Sequence, residues 1–149
     1  VSRPVPSWVY ATIVILAFLH DVIIPLGVFA YLGHFKGWEV GGPFIAAVLT
    51  ILGYSISDTI VVLDRVRENI KKLKGTFEEV IETSVHQTIT RSINTSATTM
   101  LALVAILIFG GVTLKSFALA LLVGIFFGTY SSIFIAAPLL VTWYRLRKR

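Results

Sequence analysis

The chain has no cysteine and little charge: of its 149 residues, only 14% are Asp, Glu, Lys or Arg. Without cysteine there is no disulfide framework and no thiolate metal site. The shortage of charge argues against a soluble surface, because soluble domains carry about a quarter charged residues. Common enzyme motifs are missing too. There is no Walker A loop, no GxSxG, no HExxH and no paired-carboxylate cleft. His20, His34 and His86 are too scattered to hold a metal, and nothing calls for a cofactor. Period-two alternation over ten-residue units, the mark of a membrane barrel, is absent. So is a basic, then apolar, then small-residue leader. The chain begins at Val1 rather than methionine, as expected of a piece of a longer protein.

What is present is apolar: 56% of the residues are hydrophobic. Four runs are long enough to cross a bilayer, which takes about 20 residues of helix. They span residues 8–32, 44–63, 93–112 and 117–144. Backbone polar groups in lipid must be paired within the segment, so the spans are expected to be helices. The reading is an all-α, polytopic membrane protein with a single transmembrane domain over residues 1–149. Short Gly-rich turns, GHFKGWEVGGP and GGVTLKS, join the first two and the last two spans. A long charged stretch, residues 64–92, joins the middle pair.

The charges are lopsided. The long loop holds six basic residues, the tail RLRKR four, and Arg3 precedes the first span. Only Lys36 and Lys115 fall on the other side. A net charge of +5 spread this way flanks spans, which suits membrane topology better than nucleic-acid binding. The excess of Lys and Arg puts both termini and loop 64–92 in the cytoplasm. Within that loop the second helix is expected to continue through DRVRENIKKL and stop at Gly75. Thr76 with Glu79 then forms a capping-box pattern. The segment that follows places Phe77, Val80, Ile81, Ser84, Val85, Thr88 and Ile89 on one face. That pattern predicts an amphipathic cytoplasmic helix, either lying in the interface or packed under the bundle.

Ionisable residues inside spans are costly and need a reason. Asp58 lies six residues before Asp64, so it sits about 9 Å above the charged boundary. Tyr54 and Ser55 share its face and form a supporting polar stripe. Arg91, Thr95, Thr98 and Ala102 recur at helical spacing at the start of the third span, which makes Arg91 the expected partner of Asp58. Two readings stand side by side: a protonatable carboxylate gated by a fixed cation, or a static ion pair joining two helices. Asp21, beside His20 and before a kinking Pro25, belongs either to the same proton path or to an interhelical hydrogen bond. Gly124 and Gly128 form a GxxxG pattern continued by Ser131, Ser132, Ala136 and Ala137, a face for close packing. Pro138 is expected to bend the fourth helix.

Three stretches carry a resemblance. GYSISDTIVVLDRVREN, SVHQTITRSINTSATTMLALVAILIFGG and FALALLVGIFFGTYSSIFIAAPLL, preceded by AFLHDVIIPLGVFA, closely resemble the C-terminal membrane region of SecF. SecF partners SecD in the accessory complex of the bacterial and archaeal protein-export translocon. The resemblance implies half of an efflux-pump-like bundle in the cell membrane. It implies use of the ion gradient, by protons or sodium, to promote preprotein translocation. It also implies SecD, the SecY/SecE/SecG channel and the unfolded preprotein as partners. SecF proteins have six spans and an external domain, so two helices and that domain are expected to lie outside this sequence. By motif, the coupling residues are Asp58 and Arg91, with Asp21 in a matching HD pair. The competing readings are a structural scaffold binding SecD and the channel without ion chemistry, and a dimerising half of a small-solute transporter.

Overall fold

The computed structural model describes residues 5–148. Arg3 and Arg149, counted above in the charge asymmetry, lie outside them. The elements in order are α1 (Ser7–Lys36), α2 (Gly42–Lys72), α3 (Phe77–Phe109), α4 (Val112–Ser131), a π-helical turn (Ser132–Ala136) and α5 (Ala137–Lys148). Among the described residues there is no strand. The last three elements run on as one rod, so four helices are long and apolar enough to cross a membrane.

The caps follow from local chemistry. Gly37 ends α1 at φ 65°, a left-handed conformation that favours a residue without Cβ, and its N–H bonds the Gly33 carbonyl. Pro43 sits in the first turn of α2, where its missing N–H costs nothing. Thr76 and Glu79 make the expected capping box at the start of α3. Two boundaries differ from expectation. α2 stops at Lys72, before Gly75, and α4 starts at Val112, leaving only Gly110 and Gly111 between the last two rods. The segment expected as a separate amphipathic helix is the first half of one continuous α3. Its apolar face is covered by the chain itself: Phe77 stacks on Tyr144 at 4.1 Å, and Phe77 and Ile81 join Leu63, Val66 and Leu140 in one cluster.

The fourth rod is central. Half of its apolar window is buried, against 17% for α3. Gly124 makes this possible, because a Cβ there would lie 2.2 Å from Cδ1 of Ile51. The interior forms three layers. At the end holding the α2–α3 connection, Val9, Ile13, Leu63, Val66, Phe77, Ile81 and Leu140 pack together. At the opposite end, Phe29, Phe44, Ile51, Leu103, Leu121 and Ile125 do the same. Between them lies a thin stratum of buried polar residues: Asp21, Ser55, Thr59, Ser92, Ser96, Ser131 and Ser132. The outward faces of the helices are apolar, with Ile15, Ile23, Leu101, Ile108 and Phe126 largely exposed, as suits lipid contact.

Candidate functional site: a polar layer with two carboxylates

Each helix supplies a short polar patch to the middle layer. On α1, Asp21 is fully buried. Four residues later Pro25 has no N–H, so the Asp21 carbonyl loses its usual helical partner. α1 nevertheless runs through Pro25 as a single helix. The Asp21 carboxylate accepts from three side chains: Ser55 Oγ of α2, Ser131 Oγ of α4 at 2.7 Å, and His20 Nδ1 at 2.9 Å. His20 itself leans outward and is about a third exposed. Asp21 thus ties α1 to α2 and α4, which is the interhelical bond foreseen as one of its two readings.

On α2, Asp58 is half-buried. Its Oδ1 accepts from Ser92 Oγ of α3 at 2.7 Å, and its Oδ2 from Ser132 Oγ at 2.5 Å. Tyr54, one turn earlier, reaches α3 instead, with its hydroxyl 2.9 Å from Ser96 Oγ. Ser96 in turn bonds Thr129 Oγ1 of α4. Ser55, placed by sequence on the face of Asp58, is spent on Asp21. Thr59 leaves a buried hydroxyl without a partner in the same layer.

Arg91 is not where the sequence pattern suggested. The four ion pairs among the described residues do not include it, and its side chain is exposed. Thr95 and Thr98 are exposed as well, and their hydroxyls turn back onto the carbonyls of Arg91 and Asn94 at 2.8 Å each. The polar stripe that faces inward is one residue out of phase: Ser84, Thr88, Ser92 and Ser96, at i, i+4, i+8 and i+12, all buried. One residue is about 100° on a helix, enough to turn a stripe away from its neighbour. The signal was available. Ser84 and Thr88 already sat on the predicted apolar face, and continuing that face by fours reaches Ser92 and Ser96. Ser131 and Ser132, read from sequence as packing residues, are the other missed members.

Asp58 is served only by hydroxyls, with no cation from these four helices on it, whereas Asp21 has His20 beside its two hydroxyl donors. No group of three His, Asp or Glu side chains that could hold a metal ion exists among the described residues.

The family model described as "Protein export membrane protein SecD/SecF, C-terminal" matches residues 7–146. The chain is 52% identical over 144 residues to protein translocase subunit SecF of Sebaldella termitidis, covering 95% of this chain and 46% of that protein. It is 48% identical over 143 residues to protein translocase subunit SecDF of Thermus thermophilus, covering 95% of this chain and 19% of that protein. A crystal structure of SecDF in a super-membrane-facing form superposes with a TM-score of 0.85 at 46% identity, over 95% of this chain and 19% of that one. The chain thus spans less than half the length of the SecF proteins it matches. It is a multi-pass membrane protein that belongs to the SecD/SecF family of protein-export membrane proteins.

Proposed function

We propose that this chain is the C-terminal membrane part of a SecF subunit, and that it couples ion movement down the transmembrane gradient to preprotein translocation. The single observation that carries the reading is Asp58: a carboxylate in the polar layer between two apolar clusters, bound by Ser92 and Ser132 and by no cation. A proton arriving there neutralises the charge that holds the hydroxyls of α3 and of the π turn in the fourth rod. Its departure restores that charge, so binding and release change how three helices are held. Arg91, next to Ser92 but on the outer face, lies on the side of α3 that other chains can reach. In this reading, the SecD half covers the stripe of Arg91, Thr95 and Thr98, and Arg91 balances a carboxylate at that joint. Asp21 is a second proton-holding group in the same layer. The matched proteins are named as translocase subunits, which supports a role beside the SecY/SecE/SecG channel acting on unfolded preprotein. The basic residues around loop 64–92 support a cytoplasmic position for that loop and both ends, in the cell membrane.

The test uses the full-length subunit with SecD. Asp58→Asn and Arg91→Met are expected to abolish the gradient-dependent enhancement of secretion while SecD still co-purifies. Export at the wild-type level with Asp58→Asn overturns the coupling reading. The scaffold reading predicts the reverse order, with Gly124→Leu damaging co-purification and export more than Asp58→Asn.

A further inference from the structure

Ser131 and Ser132 are neighbours in sequence, yet they bind different carboxylates. Ser131 donates to Asp21 of α1, and Ser132 donates to Asp58 of α2. Consecutive residues on a helix point about 100° apart, so a central rod can serve two neighbours with adjacent side chains. The pair also marks the point where the α-helix opens into the π turn Ser132–Ala136. That turn stops just before Pro138, whose missing N–H leaves the Phe134 carbonyl without its i+4 donor.

Each serine has a second acceptor. Ser131 Oγ is 3.0 Å from the Gly128 carbonyl, and Ser132 Oγ is 2.9 Å from the Thr129 carbonyl. A hydroxyl has one proton to give. While a carboxylate is ionised, it takes that proton. Once the carboxylate is protonated, its own O–H donates to the serine oxygen, and the serine proton turns to the carbonyl three residues back. No proton leaves the serine in this exchange; the only proton gained is the one on the carboxyl group.

The two carboxylates also share neighbours on α2. Asp21 accepts from Ser55, which lies three residues before Asp58 and so one turn along the same face. Gly128 lies against the same corner, where a Cβ would make ordinary contact at 3.5 Å from Ser55 Cβ and 3.7 Å from Asp21 Oδ2. Other charges are scarce. α1 adds His20 on Asp21, α2 adds only Tyr54, and Arg91 of α3 is exposed. The fourth rod has no charged residue between Phe117 and Tyr144, and its Tyr130 is about half exposed.

We propose that Ser131 and Ser132 are positioning residues that couple the protonation of Asp21 to that of Asp58, through hydroxyls carried on one turn of the central rod. The proposal rests on reading Asp58 as a protonatable group. Protonation at either carboxylate re-aims a hydroxyl on that turn, and the change is felt at the other.

The test is infrared difference spectroscopy of carboxyl C=O bands against pH, on the full-length subunit with SecD in lipid. Bands are assigned by their loss in Asp21→Asn and Asp58→Asn. In the wild-type background, Asp21→Asn is expected to shift the pH midpoint of the Asp58 band by about half a unit, and Asp58→Asn that of the Asp21 band likewise. Ser131→Ala and Ser132→Ala remove the link, so in either variant those cross-shifts are expected to vanish. Ser131→Thr and Ser132→Thr, which keep the hydroxyl, stay near wild type. If the alanine variants fail to assemble, Ser131→Cys and Ser132→Cys carry the same measurement with a weaker donor. No cross-shift in the wild-type background, or the same cross-shift with the serines removed, overturns the proposal. Secretion is not the readout. Normal export by Asp58→Asn beside these cross-shifts defeats the coupling function alone, whereas lost export without them defeats the serine coupling alone.

Discussion

The inner face of the fourth rod and the outer face of α3 both carry hydroxyls, and they use them in opposite ways. Ser131 and Ser132 reach across to carboxylates on two other helices. Thr95, Thr98 and Thr99 bond only to carbonyls of their own helix, at 2.8 to 2.9 Å. The first arrangement joins helices; the second conceals polarity on a surface. Arg91 stands at the head of the second stripe, exposed and outside every ion pair among the described residues. A membrane helix does not keep an arginine for packing in lipid. The contrast therefore separates hydroxyls that bond across helices of this chain from polar side chains that turn outward from it.

The sharpest way to break that contrast is to exchange a residue from each side. Asp21→Leu removes three hydrogen bonds and crowds the corner at Gly128. Interhelical bonds in membranes contribute about 0.6 kcal/mol each, and overpacking adds about 1–3, so a loss of about 3 kcal/mol is expected. Thermal unfolding of the purified full-length subunit reads it. Arg91→Leu in the same assay should change stability by less than about 0.5 kcal/mol, as for a surface site, while abolishing gradient-dependent export.

The next effect compares two glycines of one motif. Gly124→Ala pushes a Cβ to 2.2 Å from Ile51, whereas at Gly128 the nearest atom is 3.5 Å away. The first should cost about 2 kcal/mol, partly restored by Ile51→Val, and the second close to nothing. Equal effects at both would mean that the central rod is not seated on Ile51. Smaller again is Ser92→Ala, which deletes one bond to Asp58 for about 1 kcal/mol, against no measurable loss for Thr98→Val. Last comes Thr76→Ala, which removes the capping box of α3 for about 0.5–1 kcal/mol and leaves both stripes intact. It serves as the control for general weakening of α3.

Much of the fold was legible because apolar run length and the cost of unpaired backbone in lipid leave few choices. The four rods, the capping box of Thr76 and the position of Asp58 all follow from that. The site was legible only in part. Asp58, Asp21, Tyr54 and Ser55 do lie in the polar layer, because an acidic residue in a span must find donors. Their partners could not be matched from single helices. Which hydroxyl faces which carboxylate depends on the rotation of α3 and of the fourth rod, and the sequence reading divided loop from span at 92/93, where α3 runs unbroken from Phe77 to Phe109. That cut hid the run from Ser84 to Ser96 and left Arg91 as the nearest visible partner. Ser131 and Ser132 were hidden differently: small residues beside GxxxG fit close packing equally well, and only the tertiary arrangement shows their hydroxyls in use.

The π turn has a consequence for rotational phase. A π turn takes more residues than the 3.6 of an α turn, so the rod beyond it is offset relative to a straight helix. Ser131 and Ser132 can then face α1 and α2 while Leu140, beyond the turn, still points into the apolar cluster with Val66 and Ile81. Deleting one residue between 133 and 136 would turn the terminal segment by about 100° and force a choice between those two alignments. The widened turn thus works as a vernier, letting one rod keep two registers.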